Sequence, residues 1–148
     1  MDRLETIEQQ LYESGLEIDN HRHMFCDGYY RKYSDGFEYM AVAPDIPRKA
    51  RTCVAFHEAG HRYTHVLGHA GRDDERANRW AVKRLVPLMR LIEALKHGAF
   101  NTHDISDYLG VTEAFLKVSL SVYRKTYGLY IIEGDWVISF EPTVLAYN

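Results

Sequence analysis

The chain of 148 residues has few of the residue types that mark specialised proteins, with only two cysteines and four prolines. Cys26 and Cys53 could form at most one disulfide, so free thiols are favoured and a disulfide framework is excluded. No run approaches the roughly 18 apolar residues of a membrane-spanning helix. The first residues also lack the basic and apolar order of a signal peptide. These absences predict a cytoplasmic protein with no membrane segment.

The composition, 46% hydrophobic and 26% charged, excludes a disordered or fibrous chain and predicts a folded globular one. Its net charge of −3 is unevenly distributed, because residues 1–46 and 101–148 carry an acidic excess and residues 47–100 a basic one. The middle third is therefore the basic part of the chain.

The spacing of apolar residues predicts secondary structure of both kinds. It predicts helices over residues 2–14, 48–66, 73–86 and 88–98, and two shorter ones that begin near Thr102 and Thr112. Aromatic and β-branched residues on both sides of turns predict β-hairpins over residues 29–43 and 130–140. The expected fold class is α+β. Residues 1–100 would form a domain with a small antiparallel sheet, and residues 101–148 would form helix-turn-helix-like helices and a hairpin packed on it.

The predicted central helix contains the sequence His57-Glu58-Ala59-Gly60-His61, an HExxH motif. Two histidines four residues apart lie on one face of a helix, close enough for both imidazoles to bind one metal ion. Glu58 points about 100° away from His57, where it can hold and deprotonate a water molecule at the metal. The motif therefore predicts a catalytic Zn²⁺ bound by His57 and His61, with Glu58 as the general base.

A catalytic zinc ion needs a third protein ligand and an open position. Thr64 and Leu67 stand where metzincins have Gly and His, which excludes that subclass. The acidic residues at the start of the next helix are better candidates. Asp74 falls on the apolar stripe of that helix, whereas Glu75 points about 100° away from it. The periodicity favours Asp74 as the third ligand and leaves Glu75 as the alternative.

The motif and the helix that follows it resemble a known family. HEAGH at 57–61, followed by DERANRWAVKRLVP at 74–87, is similar to the ImmA/IrrE family of metallo-endopeptidases, in which HExxH precedes a helix of the pattern E-x-x-A-x-x-(F/W)-A-x-x-L-hydrophobic-P. Residues 91–98 and 104–112 are similar to small phage and mobile-element members, and the likeness covers about residues 17–125.

The resemblance implies a zincin-like fold with a gluzincin-like zinc site and a cytosolic location. It also implies that the protein substrate is a helix-turn-helix repressor of phage or mobile-element type, cleaved to relieve repression. The family usually has Glu at the position of Asp74, so here the shorter Asp would coordinate directly, or Glu75 would replace it after a local shift.

Several other residues are weaker candidates for the site. Asn78 could orient a ligand imidazole, and Tyr63 and the tyrosine-rich hairpin could line a peptide cleft. Cys53 could face the metal, although a buried small hydrophobe is the favoured reading. His65 and His69 continue the four-residue spacing, but each step turns 40° around the helix, so four histidines cannot share one ion.

An alternative function comes from the C-terminal third, where residues 104–125 and the hairpin after them have the outline of a winged helix-turn-helix. Its net negative charge disfavours direct nucleic-acid binding, because phosphate contacts need a basic face. The alternative to an enzyme is thus a non-catalytic regulatory protein, an anti-repressor or a DNA- or protein-binding module, whose metal site is structural or vestigial.

Overall fold

A computed structural model of the chain describes residues 1–64 and 73–140 and the backbone of residues 146–147. The described part is α+β. Its helices are α1 (Arg3–Glu13), α2 (Arg48–Thr64), α3 (Asp73–Leu85), α4 (Leu88–Lys96), α5 (Thr102–Leu109) and α6 (Glu113–Tyr127). Its strands are β1 (Ile18–Asp19), β2 (Gly28–Lys32), β3 (Glu38–Val42), β4 (Tyr130–Glu133), β5 (Trp136–Ser139) and β6 (Ala146–Tyr147).

The chain divides into two compact units, Met1–Ala81 and Val82–Asn148, and the division falls within α3. The first unit contains α1, the first sheet and α2. The second contains α4, α5, α6 and the second sheet. The separate prediction of a domain boundary after residue 100 stays a prediction.

In the first unit, α1 begins with a capping box, in which the Asp2 side chain accepts from the backbone N–H of Glu5 and the Glu5 side chain accepts from that of Asp2. These bonds satisfy N–H groups that the first turn leaves without helical partners. The helix buries Leu4, Ile7 and Leu11 along one face. That burial, rather than the intrinsic helix propensity of 11 residues, holds α1 in place.

The sheet of the first unit has the order β1-β3-β2, with β1 parallel and β2 antiparallel to β3. The prediction of an antiparallel sheet in this part of the chain is therefore wrong for β1, a two-residue strand that only its pairing with β3 defines. Met40 and Val42 of β3 are fully buried. Since successive side chains on a strand point to opposite faces, Gly28, Tyr30 and Lys32 share one face of β2, and Tyr29 and Arg31 share the other.

Gly28 allows β2 to lie against α2. A Cβ atom built on Gly28 would lie 2.3 Å from Cγ1 of Val54 and 3.0 Å from Cγ of Glu58. Because such distances are well inside van der Waals contact, only glycine fits here without movement of the strand or the helix.

In the second unit, side-chain caps begin α5 and α6, because Asn101 accepts from the N–H of Asp104 and Thr112 accepts from that of Phe115. Gly110 ends α5 with a left-handed φ of 70°, the usual C-terminal glycine. The buried Tyr123 of α6 donates from its hydroxyl to the carbonyl of Val86 at 2.5 Å. The second sheet is antiparallel, in the order β4-β5-β6.

The α+β class, both hairpins and the helices are confirmed within the described residues, and helix ends differ by one or two residues from the predicted ones. The end predicted for the central helix, residues 65–66, lies outside the described part. Neither the exposed Cys26 nor the buried Cys53 is in a disulfide, as expected. None of the described helices combines the length and apolar character that crossing a membrane would need.

Candidate metal centre

Helix α2 presents the two histidines of the motif to one point. The Nε2 atoms of His57 and His61 are 3.1 Å apart, and their rings meet edge to face with centroids 4.7 Å apart. Residues four apart are separated by about one helical turn, so adjacent imidazoles can converge. Both side chains are part-buried, with 26% and 19% of their surfaces exposed.

Helix α3 supplies the third group. Oδ1 of Asp74 lies 3.4 Å from Nε2 of His57 and 3.0 Å from Nε2 of His61. Ligands bound to zinc at 2.0–2.1 Å with tetrahedral angles are about 3.3 Å apart. The three atoms are therefore spaced like one face of a zinc tetrahedron, and the donor set of two imidazoles and a carboxylate fits this ion. Within the described part of the chain, these three residues are the cluster able to hold a metal.

The approach of α3 to α2 depends on Gly60. A Cβ atom on Gly60 would lie 2.6 Å from the carbonyl oxygen and 2.8 Å from the Cα of Ala77. These are backbone atoms and cannot turn aside, so the x-x of the motif must include a residue without a side chain at this position. The close contact places Asp74, one turn before Ala77, beside the histidines.

Asn78 orients one of the imidazoles. Its Oδ1 lies 2.7 Å from Nδ1 of His57, and an amide oxygen only accepts, so this nitrogen of His57 carries the proton. The other nitrogen, Nε2, is then left with its lone pair directed toward His61 and Asp74. Such a partner fixes both the tautomer and the direction of a ligand histidine. The orienting role predicted for Asn78 thus has the contact it needs.

Glu58 is buried, with 8% of its surface exposed. Burial raises the pKa of Glu58 to about 7, and the nearby carboxylate of Asp74 adds to the rise. A carboxylate surrounded by protein is less stabilised by water, so its proton affinity increases. Glu58 can therefore both accept and return a proton near neutral pH.

Burial also lowers the pKa of His61 below its ordinary value, and the neighbouring His57 lowers it further, against an opposing effect of Asp74. The neutral form of the imidazole is the one that binds metals. The surroundings of His61 thus favour the ligand form before any ion is bound.

The three candidate ligands and Glu58 open into one cleft of about 580 Å³. Its other lining residues are Gly28, Tyr29, Tyr30, Arg31, Lys32 and Asp73. Strand β2 therefore forms the second wall, as suggested for the tyrosine-rich hairpin. Asp73 belongs to the acidic cluster at the start of α3 that the sequence offered as a source of the third ligand, whereas Gly28 was missed. A glycine at the start of a strand, without a left-handed φ, is a weak sign in the sequence that a helix packs closely on the strand. The role of Gly28 becomes visible only in the contact between β2 and α2.

Strand β2 is an edge strand, and no other described strand pairs with its outer side. The N–H of Ala43 donates to the carbonyl of Asp27 at 2.8 Å, and that of Tyr33 donates to Phe37 at 2.7 Å. In an antiparallel pair these bonds recur at every second residue. The backbone groups of Tyr30 therefore point away from β3, toward the outer edge of the sheet.

The remaining candidates have other surroundings. Asp74 and Glu75 are both exposed, Asp74 with 81% of its side-chain surface, so the burial expected for Asp74 from the apolar stripe is wrong. The two differ in that Glu75 does not belong to the ligand cluster. Cys53 is 6% exposed and is also absent from that cluster. Tyr63 stacks on Trp80 with ring centroids 5.2 Å apart and does not line the cleft. His65 and His69 lie outside the described residues.

Comparison with known proteins adds no relative: no protein-family model matches the chain, and neither does any curated protein or solved structure. Only the residues of the site therefore indicate a function.

Proposed function

We propose that this chain is a zinc-dependent endopeptidase with a zincin-like catalytic domain. His57, His61 and Asp74 would hold the ion, and Glu58 would be the catalytic base. One observation carries the proposal: three ligand atoms from two helices lie 3.0–3.4 Å apart, next to a buried glutamate in the same cleft.

When bound, Zn²⁺ supplies Lewis acidity, which polarises the scissile carbonyl and makes water more acidic. Glu58 accepts the proton of the water whose oxygen attacks the carbonyl carbon. It then returns that proton to the amide nitrogen as the C–N bond breaks, so the products are a carboxylic acid and an amine. Asn78 keeps His57 in the binding tautomer throughout.

A peptide substrate is supported by the edge of β2 that no described strand pairs with, because this edge offers backbone donors and acceptors beside the candidate ligands. An extended peptide can add to such an edge as a further strand. The backbone of Tyr30 would then hold the peptide main chain next to Glu58.

The resemblance to the ImmA/IrrE family favours a repressor as the substrate, since members of that family relieve repression by cleavage. We accordingly propose a helix-turn-helix repressor of phage or mobile-element type as the protein partner, and the cytoplasm as the location. The Asp at position 74 departs from the usual Glu of the family, and its carboxylate nevertheless lies within ligand distance of both histidines.

The test uses the zinc-loaded full chain and the helix-turn-helix repressor encoded nearest to its gene. The wild type is expected to cut the repressor at a restricted site, which mass spectrometry of the fragments locates. Glu58→Gln should bind zinc as the wild type does and cut nothing. Glu75→Gln, an exposed neighbour of the site, serves as the matched control and should cut normally. Undiminished cleavage by Glu58→Gln would eliminate the proposed mechanism.

A second candidate is the non-catalytic regulator, favoured by the order of elements in the second unit. There α5 and α6 are joined through Gly110 and followed by the β4-β5 hairpin, the order of a helix-turn-helix with a wing. A stable complex with uncut repressor, or a salt-dependent shift of promoter DNA in a gel, would support this regulator and contradict the peptidase.

A further inference from the structure

A second groove lies in the first unit. It occupies about 550 Å³, and the described residues that line it are mainly aromatic. We call it the aromatic groove and define it by its lining residues: Arg22, His23, Met24, Phe25, Cys26, Tyr29, Tyr33, Phe37 and Tyr39.

The aromatic groove is built on the face of the hairpin opposite to α2. Arg31 pairs with Tyr39 across the two strands, so their side chains share a face, and this face is the one without Gly28 and Tyr30. Tyr29 and Tyr39 have ring centroids 6.3 Å apart, and Tyr33 and Phe37 have centroids 5.8 Å apart.

Several of these rings are open to solvent. Phe25 is fully exposed, Phe37 is 60% exposed and Tyr33 is 40% exposed. On ordinary protein surfaces, exposed apolar residues are scattered singly. A contiguous set of exposed aromatic side chains is instead typical of a binding site. Covering such rings with an apolar partner is favourable, because it removes apolar surface from water.

Tyr29 lines both the aromatic groove and the candidate metal cleft, so the two lie on either side of β2 at this residue. A peptide added along the edge of β2 would point alternate side chains to the two faces of the sheet. One set would point into the cleft beside Glu58. The other set would lie over Tyr29 and toward Tyr33.

We propose that the aromatic groove is a specificity site of this protein, which binds apolar side chains at every second position of the substrate segment. The proposal rests on the proposed function and deepens it by naming the class of sequence selected. The guanidinium of Arg31 at 4.9 Å from the ring centre of Tyr33, and Arg22 in the lining, disfavour a cationic side chain. The occupant is thus an extended apolar-polar alternating segment of the protein substrate.

Two labelled probes test the alternation directly. One is a fluorescein-labelled peptide in which Phe-Ser is repeated four times, and the other has the same composition as Phe-Phe-Ser-Ser repeated twice. In an extended peptide, the first puts all its phenylalanines on one face and the second divides them equally. Fluorescence anisotropy with full-length Glu58→Gln should give about tenfold tighter binding of the first probe, the effect of partly covering one more aromatic side chain.

The double variant Tyr33→Ser/Phe37→Ser on the same background should abolish this preference. Tyr12→Ser, which removes an exposed tyrosine of α1 away from the aromatic groove, should keep it. Circular dichroism would verify that both variants are folded. The preference should persist in EDTA, because no residue of the aromatic groove is a candidate metal ligand. Equal binding of the two probes, or a double variant that still discriminates, would overturn the proposal.

The test of the aromatic groove can fail or succeed independently of the test of peptidase activity. Cleavage of the probes by the zinc-loaded wild type tests the peptidase, whereas the binding preference of Glu58→Gln tests the aromatic groove. A second copy of the chain is the other possible occupant. It would appear as a dimer in analytical ultracentrifugation that Tyr33→Ser/Phe37→Ser dissociates, and that result would also overturn the assignment to substrate.

Discussion

Gly60 and Ala77 bring the backbones of α2 and α3 together, with only 2.6 Å between the Cβ position of residue 60 and the carbonyl oxygen of Ala77. The ligand cluster takes two members from one helix and one from the other, so this contact sets the distance between them. The geometry of the candidate ligand cluster therefore depends on Gly60, which is not itself one of the candidate ligands.

The variant Gly60→Ala should move the two helices apart. We expect zinc affinity to fall by about tenfold and the free energy of unfolding to fall by about 1–3 kcal/mol, as for other overpacked sites. Competition with a chromogenic chelator measures the first and urea denaturation the second. Gly15→Ala is the control: Gly15 has a φ of 94° and no atom within 4 Å of its Cβ position, so it should lose stability and keep its zinc affinity.

Asn78 is expected to act on the metal through His57. Replacement by leucine, which has a similar shape and no acceptor, should lower zinc affinity by about 10–100-fold, as loss of such orienting partners usually does. Asn78→Asp keeps an oxygen acceptor for Nδ1 of His57 and should retain most of the affinity. If Asn78→Leu and Asn78→Asp lose affinity equally, the hydrogen bond is not what orients the imidazole.

Variants of the neighbouring residues Asp74 and Glu75 in the first turn of α3 distinguish which of the two binds the metal. Zinc should raise the unfolding temperature of the wild type and of Glu75→Gln, because an ion that binds the folded state stabilises it. It should raise that of Asp74→Asn much less, with zinc affinity lower by at least about tenfold. Differential scanning fluorimetry with and without zinc measures the shift. A larger loss in Glu75→Gln than in Asp74→Asn would make Glu75 the ligand.

The titration of Tyr123 is expected to make the free energy of unfolding depend on pH in the alkaline range. Burial raises the pKa of Tyr123 from 10.0 to about 12, and the neighbouring Tyr127 contributes further. Between these values the folded state keeps a proton that the unfolded state releases, so stability is complete below pH 10 and falls as the pH rises toward 12. Tyr123→Phe should remove this contribution to the alkaline slope.

The same variant loses the hydrogen bond to Val86, at a cost of about 1–3 kcal/mol at neutral pH, because a buried carbonyl is left without its donor. Urea denaturation of both proteins between pH 7 and 12 supplies the measurement. An unchanged slope in Tyr123→Phe would assign the alkaline loss of stability to other tyrosines.

Much of the site could be predicted from periodicity alone. The spacing of His57 and His61 and the position of Asp74 on the apolar stripe of its helix are local properties of helices, and local rules describe them well. The helices and hairpins could be predicted for the same reason, because their caps and turns are formed by nearby residues.

Features that depend on distant contacts could not be predicted in this way. Strand β1 has only two residues and exists because Ile18 and Asp19 pair with β3, which no local pattern indicates. Gly28 reveals its role only when β2 lies against α2. Tyr29 and Tyr30 could be predicted to form a strand, but the edge that the strand leaves free follows from the order of the sheet.

Arg62 directly follows His61, and its side chain forms hydrogen bonds with other parts of the first unit. Its guanidinium donates to Glu38 at 2.9 Å and also to the hydroxyl and carbonyl of Ser14, which caps the end of α1. Helix α2 thus carries a candidate metal ligand and, at the next position, an arginine that bonds to the hairpin and to the end of α1. None of the described residues of α1 lines the candidate cleft, yet displacing α1 would break the bonds between Ser14 and the helix that carries both candidate histidine ligands.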